Sequence, residues 1–132
     1  MKASDAVVGA EAPAKELTLS RTDLVQYAGA SGDYNPMHHD EIKAQAAGMP
    51  SVFGHGMFSM GFLGTAVTDF VGLENLKSYS VRFVKQTWPG ETLRTKVVVA
   101  KVDGGEVEVE CTLANADGEV KVTGTAVASV AS

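Results

Sequence analysis

The segment Met57–Val71 does most to restrict how this chain can fold. Its apolar residues (Met57, Phe58, Met60, Phe62, Leu63, Ala66, Val67, Phe70 and Val71) go nearly all the way round a helix. A surface helix keeps its apolar residues on one stripe, and a helix apolar on all sides belongs inside something larger. Counted to Gly72, the run is 16 residues long and holds Asp69, three glycines and two threonines. That is shorter than the roughly 18 residues of a membrane span, so it reads as a core helix. Gly61 and Gly64 weaken it locally, and they let another backbone or a ligand come close.

What surrounds the helix is written after it, where the pattern changes to period two. In Glu106–Ala116 the residues Val107, Val109, Cys111 and Leu113 share one face, with Glu106, Glu108, Glu110 and Thr112 on the other. Such alternation predicts an antiparallel sheet with one packed face and one wetter face. Strands are expected near 92–102, 106–116 and 119–130, joined by the hairpin signals Asp103-Gly104-Gly105 and Asp117-Gly118. A further strand near 76–86 precedes them, bounded by Pro89-Gly90. Upstream, Lys15–Leu19 suggests a short strand, and Ser20 with Asp23 forms a near capping box for a helix over Arg21–Ala30. Asn35-Pro36 forbids its continuation, and Glu41–Ala47 is a shorter helical piece ended by Gly48 and Pro50. Helices first and strands after make an α+β layout. The simplest packing curls the sheet around the Met57–Val71 helix. Residues 1–14 lack periodicity and read as a loosely ordered lead-in to a single domain at 15–132.

Composition removes several classes of function. At 132 residues the chain has room for one domain. Eleven basic residues against sixteen acidic give a net charge of −5, with no Lys/Arg cluster, so a nucleic-acid partner is not expected. One cysteine excludes an intramolecular disulfide and a cysteine-rich zinc motif. Cys111 lies in phase with Val107, Val109 and Leu113 and reads as a buried packing thiol. The first residues lack the basic and apolar regions of a signal peptide. A soluble, cytoplasmic protein without membrane insertion is expected.

Two short loops carry candidate chemistry. Gly32-Asp33-Tyr34-Asn35-Pro36-Met37-His38 places a carboxylate and an imidazole five residues apart in a turn stiffened by proline. Sharing one water, they would supply general acid–base catalysis, and an imidazole suits proton transfer near neutral pH. The residues alone also permit Asp33 and Asn35 as ordinary Asx-turn formers and His38 as a surface histidine. Gly54-His55-Gly56 precedes the apolar helix, so the Gly56 N–H lies among the unpaired donors at the helix start. Such a donor suits an oxygen gaining negative charge, although glycine-rich loops are common. His55 reads as a group that fixes the glycine turn or lines the pocket. His38, His39 and Asp40 superficially suggest a metal cluster, but adjacent residues rarely point the same way and no helical ligand spacing supports them. No metal is expected, and His39 reads as an exposed neighbour.

The run Tyr27-Ala-Gly-Ala-Ser-Gly-Asp33-Tyr-Asn35-Pro36-Met-His38, with Ala44 six positions further on, resembles the hydratase 2 motif of MaoC-like (R)-specific enoyl-CoA hydratases. The resemblance continues through Phe53-Gly54-His55-Gly56-Met57, Val81-Arg82-Phe83-Val84-Lys85 and Trp88-Pro89-Gly90-Glu91-Thr92-Leu93, roughly residues 17 to 102. The look is especially that of bacterial 3-hydroxyacyl-thioester dehydratase subunits of the mycolic-acid type. Met37 in place of a branched aliphatic and Gln86 in place of proline are the departures.

The resemblance implies a hot-dog fold, a curved antiparallel sheet around a long central helix. It further implies that Asp33 and His38 activate a water that adds to a trans-2-enoyl thioester, giving an (R)-3-hydroxyacyl thioester, with Gly56 N–H stabilising the enolate oxygen. No metal or redox cofactor is implied; the CoA or acyl-carrier-protein arm belongs to the substrate. Asn35, His55, Ser59, Arg82 and Lys85 are the candidate substrate contacts, Asn35 alternatively holding the loop in shape. The partner implied is a second hot-dog subunit, identical or related. Competing readings are a non-catalytic pocket-shaping subunit and a hot-dog thioesterase. The first would be expected to lack the Asp/His pair. The second would be expected to carry its carboxylate on the helix or a neighbouring loop, and Asp69, the one carboxylate on that helix, lies far from Gly56. An acyl-CoA-binding regulator would need a DNA-binding segment beyond this length.

Overall fold

The computed structural model describes residues 1–131. Its first strand, β1 (Glu16–Thr18), leads into helix α1 (Arg21–Ser31) through the expected capping box. Ser20 Oγ accepts the Asp23 N–H at 3.0 Å, and the Asp23 carboxylate accepts the Ser20 N–H at 2.9 Å. Two otherwise unpaired donors are thereby satisfied reciprocally. The helix stops at Gly32, whose φ of 79° is open to glycine at little cost and whose N–H closes on the Ala28 carbonyl. A 3₁₀ turn at Pro36–His38 follows, then α2 (Glu41–Ala46), capped by Asp40 accepting the Lys43 N–H. Helix α3 (Gly56–Val71) crosses the molecule before the strands β2 (Leu76–Phe83), β3 (Thr92–Asp103), β4 (Glu106–Asn115) and β5 (Val120–Ser129).

The five strands form one antiparallel sheet in the order β1-β3-β4-β5-β2. The period-two pattern of β4 is realised as read, with Val107, Val109, Cys111 and Leu113 all buried. Cross-strand neighbours on that face are Val97 and Val99 of β3 and Val122, Gly124 and Ala126 of β5. Leu63, Val67 and Val71 of α3 are fully buried in the same core. Each such buried Val or Leu contributes about 1.5–3 kcal/mol relative to exposure. Gly64 admits the ring of Tyr79 from β2, whose hydroxyl donates to the Met60 carbonyl at 2.8 Å.

Three local features differ from the sequence reading. The helix α3 is not enclosed all round: Met57, Gly61, Thr65 and Asp69, at four-residue spacing on one face, are exposed. The sheet of one chain covers only the face turned toward it. Strand β2 ends at Phe83 rather than 86, because Val84 N–H and Lys85 N–H both donate to the Lys121 carbonyl, which breaks the ladder's alternation. Within the first fourteen residues, expected to be loose, the stretch 9–12 is pinned along β3, and Met1 and Ala3 bond to the Val71 and Ala131 carbonyls. Gly9 and Ala12 donate to the Val99 and Val97 carbonyls at 2.9 Å, and the Val99 N–H returns to Ala10. One edge of the sheet is thus covered, whereas the outer edge of β2 pairs with no strand among the described residues.

Candidate active site

Two neighbouring segments and one some twenty residues downstream meet at the N-terminus of α3. The loop after α1 brings Asp33, the 3₁₀ turn brings His38, and Gly54-His55-Gly56 opens the helix. Proline at the first position of the 3₁₀ turn and the Asn35 side chain, accepting the Met37 N–H at 3.1 Å, fix the path between Asp33 and His38.

His38 is buried, and its Nδ1 lies 2.7 Å from the Phe53 carbonyl. A carbonyl only accepts, so Nδ1 carries the proton and Nε2 is left with a free lone pair. That Nε2 faces Asp33 Oδ2 at 3.9 Å. The separation is too long for a direct hydrogen bond, and it suits one water held between a lone pair and a carboxylate. Asp33 is half exposed and uses its other oxygen, Oδ1, to accept the Asn35 N–H at 3.2 Å. The Asx-turn and the carboxylate–imidazole arrangement therefore coexist, one oxygen for each.

His38 of this pair opens on a cavity of about 270 Å³, lined also by Gly56, Ser59, Phe83, Thr87 and Val122 among others. Gly56 is the first residue of α3, so its N–H has no acceptor within the helix and lies at the positive end of its dipole. Gly54 is held between walls: its N–H donates to the Thr87 carbonyl at 2.8 Å, and a Cβ there would lie 2.1 Å from Thr87 Oγ1. Only glycine lets the loop pass this close.

The other candidates divide. Ser59 is buried and lines the cavity, and Lys85 stands at its mouth, paired with Glu119 at 3.1 Å. Arg82 does not join them. Alternation along β2 puts it with Ser80 and Thr123 on the opposite, outer side of the sheet. Asn35 is exposed and engaged with the loop backbone. His55, only 1% exposed, lies behind the cavity wall: its Nε2–H donates to the Asp33 carbonyl at 3.1 Å and its ring stacks on His38 at 3.9 Å. The Phe53 carbonyl and the Tyr27 ring, 4.8 Å from His55, also shape the site. A carbonyl has no sequence signature, and Tyr27 enters the sequence reading only as the head of the hydratase 2 run, without a role of its own.

Asp33, His38 and His55 place donor atoms within 4.8 Å of one another. Two imidazoles that each ligate one ion at about 2.0–2.1 Å fan out from it. Here the rings lie 28° from parallel with centroids 3.9 Å apart, so their lone pairs do not converge. The triplet fits a proton-handling site better than a metal centre. His39 is exposed with Nε2 toward the Tyr34 carbonyl, and Asp40 caps α2, so the run His38-His39-Asp40 is dispersed.

Burial holds His55 below its ordinary value of 6.5, against the hydrogen bond to the Asp33 carbonyl and with a further lowering from His38. The unfolded chain therefore takes up this proton at a higher pH than the folded one. The stability linked to His55 is complete above pH 6.5 and is lost as pH falls from there through the folded value. A Tm series across that range should fall more steeply for the native protein than for His55→Gln, and parallel curves would count against a neutral buried His55.

A curved sheet around one helix is the hot-dog fold, and at its helix start an imidazole, a carboxylate and an unpaired backbone N–H come together beside the pocket. Residues 4–120 match the family described as MaoC like domain, and the chain belongs to that family. It is similar to 3-hydroxyacyl-thioester dehydratase Y of Mycobacterium tuberculosis, 34% identical over 103 residues, which make up 75% of this chain and 35% of that protein. Peroxisomal enoyl-CoA hydratase 2 of Arabidopsis thaliana is 40% identical over 70 residues, 51% of this chain and 23% of that protein. The chain thus spans about a third or less of these relatives' length. A chain of the ChsH1-ChsH2 complex from Mycobacterium tuberculosis superposes with a TM-score of 0.85 at 30% identity, covering 94% of this chain and 98% of that one. Among the described residues no helix is long and apolar enough to cross a membrane.

Proposed function

We propose that this chain catalyses the reversible hydration of trans-2-enoyl thioesters to (R)-3-hydroxyacyl thioesters. The observation that carries the reading is the free Nε2 of His38, 3.9 Å from Asp33 Oδ2, opening on the cavity that the Gly56 N–H also lines. Water held between the two side chains gives up a proton as its oxygen bonds to C3. A proton is delivered to C2, and the charge that builds on the thioester oxygen meets the Gly56 N–H. Dehydration runs through the same groups in reverse. Ser59 contacts the acyl thioester in the cavity, and Lys85 at its mouth meets the CoA or carrier-protein arm.

The functional unit in this reading is a pair of chains. Strand β2 offers an open edge, a template for pairing, and Met57, Phe83 and Val84 beside the cavity are 58%, 52% and 48% exposed. A second subunit laid along β2 covers both, through a two-fold contact if it is a copy. The ChsH1-ChsH2 complex joins two differently named subunits, which supports a related partner as readily as an identical one.

The test offers purified protein a panel of short to long trans-2-enoyl-CoA esters. Loss of the conjugated double bond, formation of the (R) alcohol and a two-chain mass by light scattering are expected. Release of free CoA without hydration would support the thioesterase reading instead. A folded dimer that leaves every ester untouched would defeat the hydratase reading for this chain.

A further inference from the structure

We propose that His55 is a positioning residue that locks the proton-transfer pair and the oxyanion donor into one rigid unit. The proposal rests on the hydratase reading of the site. His55 is 1% exposed and does not line the cavity, so it does not touch substrate. It nevertheless contacts all three working parts. Its Nε2–H donates to the Asp33 carbonyl at 3.1 Å, its ring stacks on His38 at 3.9 Å, and its own backbone leads directly into Gly56.

The Asp33 loop needs such a tie. The other hydrogen bonds of Asp33 are local, its N–H to Ser31 Oγ and its Oδ1 from the Asn35 N–H. Of the bonds Asp33 itself makes, the one from His55, 22 residues away, joins it to the body of the domain, while the Phe53 N–H to the Met37 carbonyl and His38 Nδ1–H to the Phe53 carbonyl hold the turn that follows. On the other side, Tyr27 packs on His55 at 4.8 Å and meets Phe58 of α3 edge-on at 5.5 Å. The stack is thereby anchored to α1 and α3 together.

The stack also has an electrostatic use. When His38 takes a proton from water it becomes a cation lying against the face of a neutral imidazole, a favourable arrangement for a positive charge near an aromatic ring. The groups facing His55 are His38, Asp33, His39 and Tyr27. Donation from Nε2 to a carbonyl defines the neutral tautomer, with Nδ1 bare and buried without a partner. A neutral ring is compatible with a charged His38, whereas a charged one would oppose it.

Two variants separate the contributions. His55→Gln keeps an N–H donor for the Asp33 carbonyl and removes the ring; His55→Phe keeps a ring against His38 and removes the donor. Each is expected to lower kcat by about 10-fold to 100-fold, the scale of a small misplacement of catalytic groups, with KM changed less than about twofold. His55→Ala should lose more than either, so that each conservative variant rescues part of the loss. Activity is normalised to the folded fraction at a temperature below each variant's Tm. Nitrogen NMR reads His38 independently of turnover: the Phe53 carbonyl should keep the Nδ1–H tautomer in both proteins, and loss of the stack in His55→Gln should shift and broaden the His38 ring resonances. Unchanged kcat with only a lowered Tm would overturn the proposal, as would a raised KM at constant kcat. Unchanged His38 ring resonances in His55→Gln would overturn it whatever the turnover. Failure of the hydratase reading shows separately, as a native protein that hydrates nothing.

Discussion

Asp33→Asn lowers the turnover of enoyl thioesters by about 10²-fold to 10⁴-fold and leaves the fold intact. The range is that of a positioned acid–base group. The fold survives because Asp33 is half exposed and its structural bond is the Asn35 N–H on Oδ1, which an amide oxygen accepts equally well. What disappears is the negative charge on Oδ2 facing His38 Nε2. His38→Ala causes a loss of the same order by removing the lone pair itself. Because His38 is buried and bonded to the Phe53 carbonyl, His38→Gln serves as a companion that fills more of the space. The double variant should be little worse than either single one, since the two groups act on one water and cannot contribute separately. Circular dichroism and Tm establish that the variants are folded, and steady-state kinetics give the loss. Turnover within twofold of the native protein in either single variant would remove Asp33 and His38 from the chemistry.

Periodicity is what made the fold legible. A helix apolar on all sides and four strands of period two leave few arrangements, and the capping box at Ser20 and the glycine turns set most boundaries to within a residue or two. The proximity of Asp33 to His38 was also legible, because proline and an Asx residue between them restrict the chain locally. The role of His55 was not, since its partners lie 17 and 22 residues upstream and meet it only through packing. The pinning of residues 9–12 along β3 uses backbone groups, which every sequence carries alike. Arg82 misled because its position beside Phe83 in the motif says nothing of which side of the sheet it faces. The exposed side of α3 carries Met57, Gly61, Thr65 and Asp69, so the helix is apolar over most of its circumference but not over the stripe turned away from the sheet.

Lys121 is the residue whose environment departs furthest from its type, and its replacement should cost more stability than that of any surface charge. It is 0% exposed on β5, with Nζ 2.7 Å from Glu119 Oε1 and 3.0 Å from Glu91 Oε2. Glu91 also accepts the Trp88 N–H at 2.7 Å and the Asn115 side-chain amide at 2.8 Å. The Lys121 carbonyl in turn takes the Val84 and Lys85 N–H groups, which begin the cavity wall. Lys121→Ala leaves the Glu91 carboxylate, 19% exposed, without its cation and opens a void behind the wall. Removing one member of a buried ion pair costs about 3–5 kcal/mol, which in a domain of this size lowers Tm by about 10–20 °C. Lys121→Met fills the stem's volume and isolates the charge effect. Adding Glu91→Gln to Lys121→Met should recover part of the loss, because an amide needs no counter-charge and its one oxygen still accepts the Trp88 N–H, while the Asn115 amide gives up its acceptor. A native-like Tm for Lys121→Ala would show that water reaches Glu91 easily enough to replace the ammonium. A double variant no more stable than Lys121→Met would show that the loss comes from packing rather than from the unpaired carboxylate.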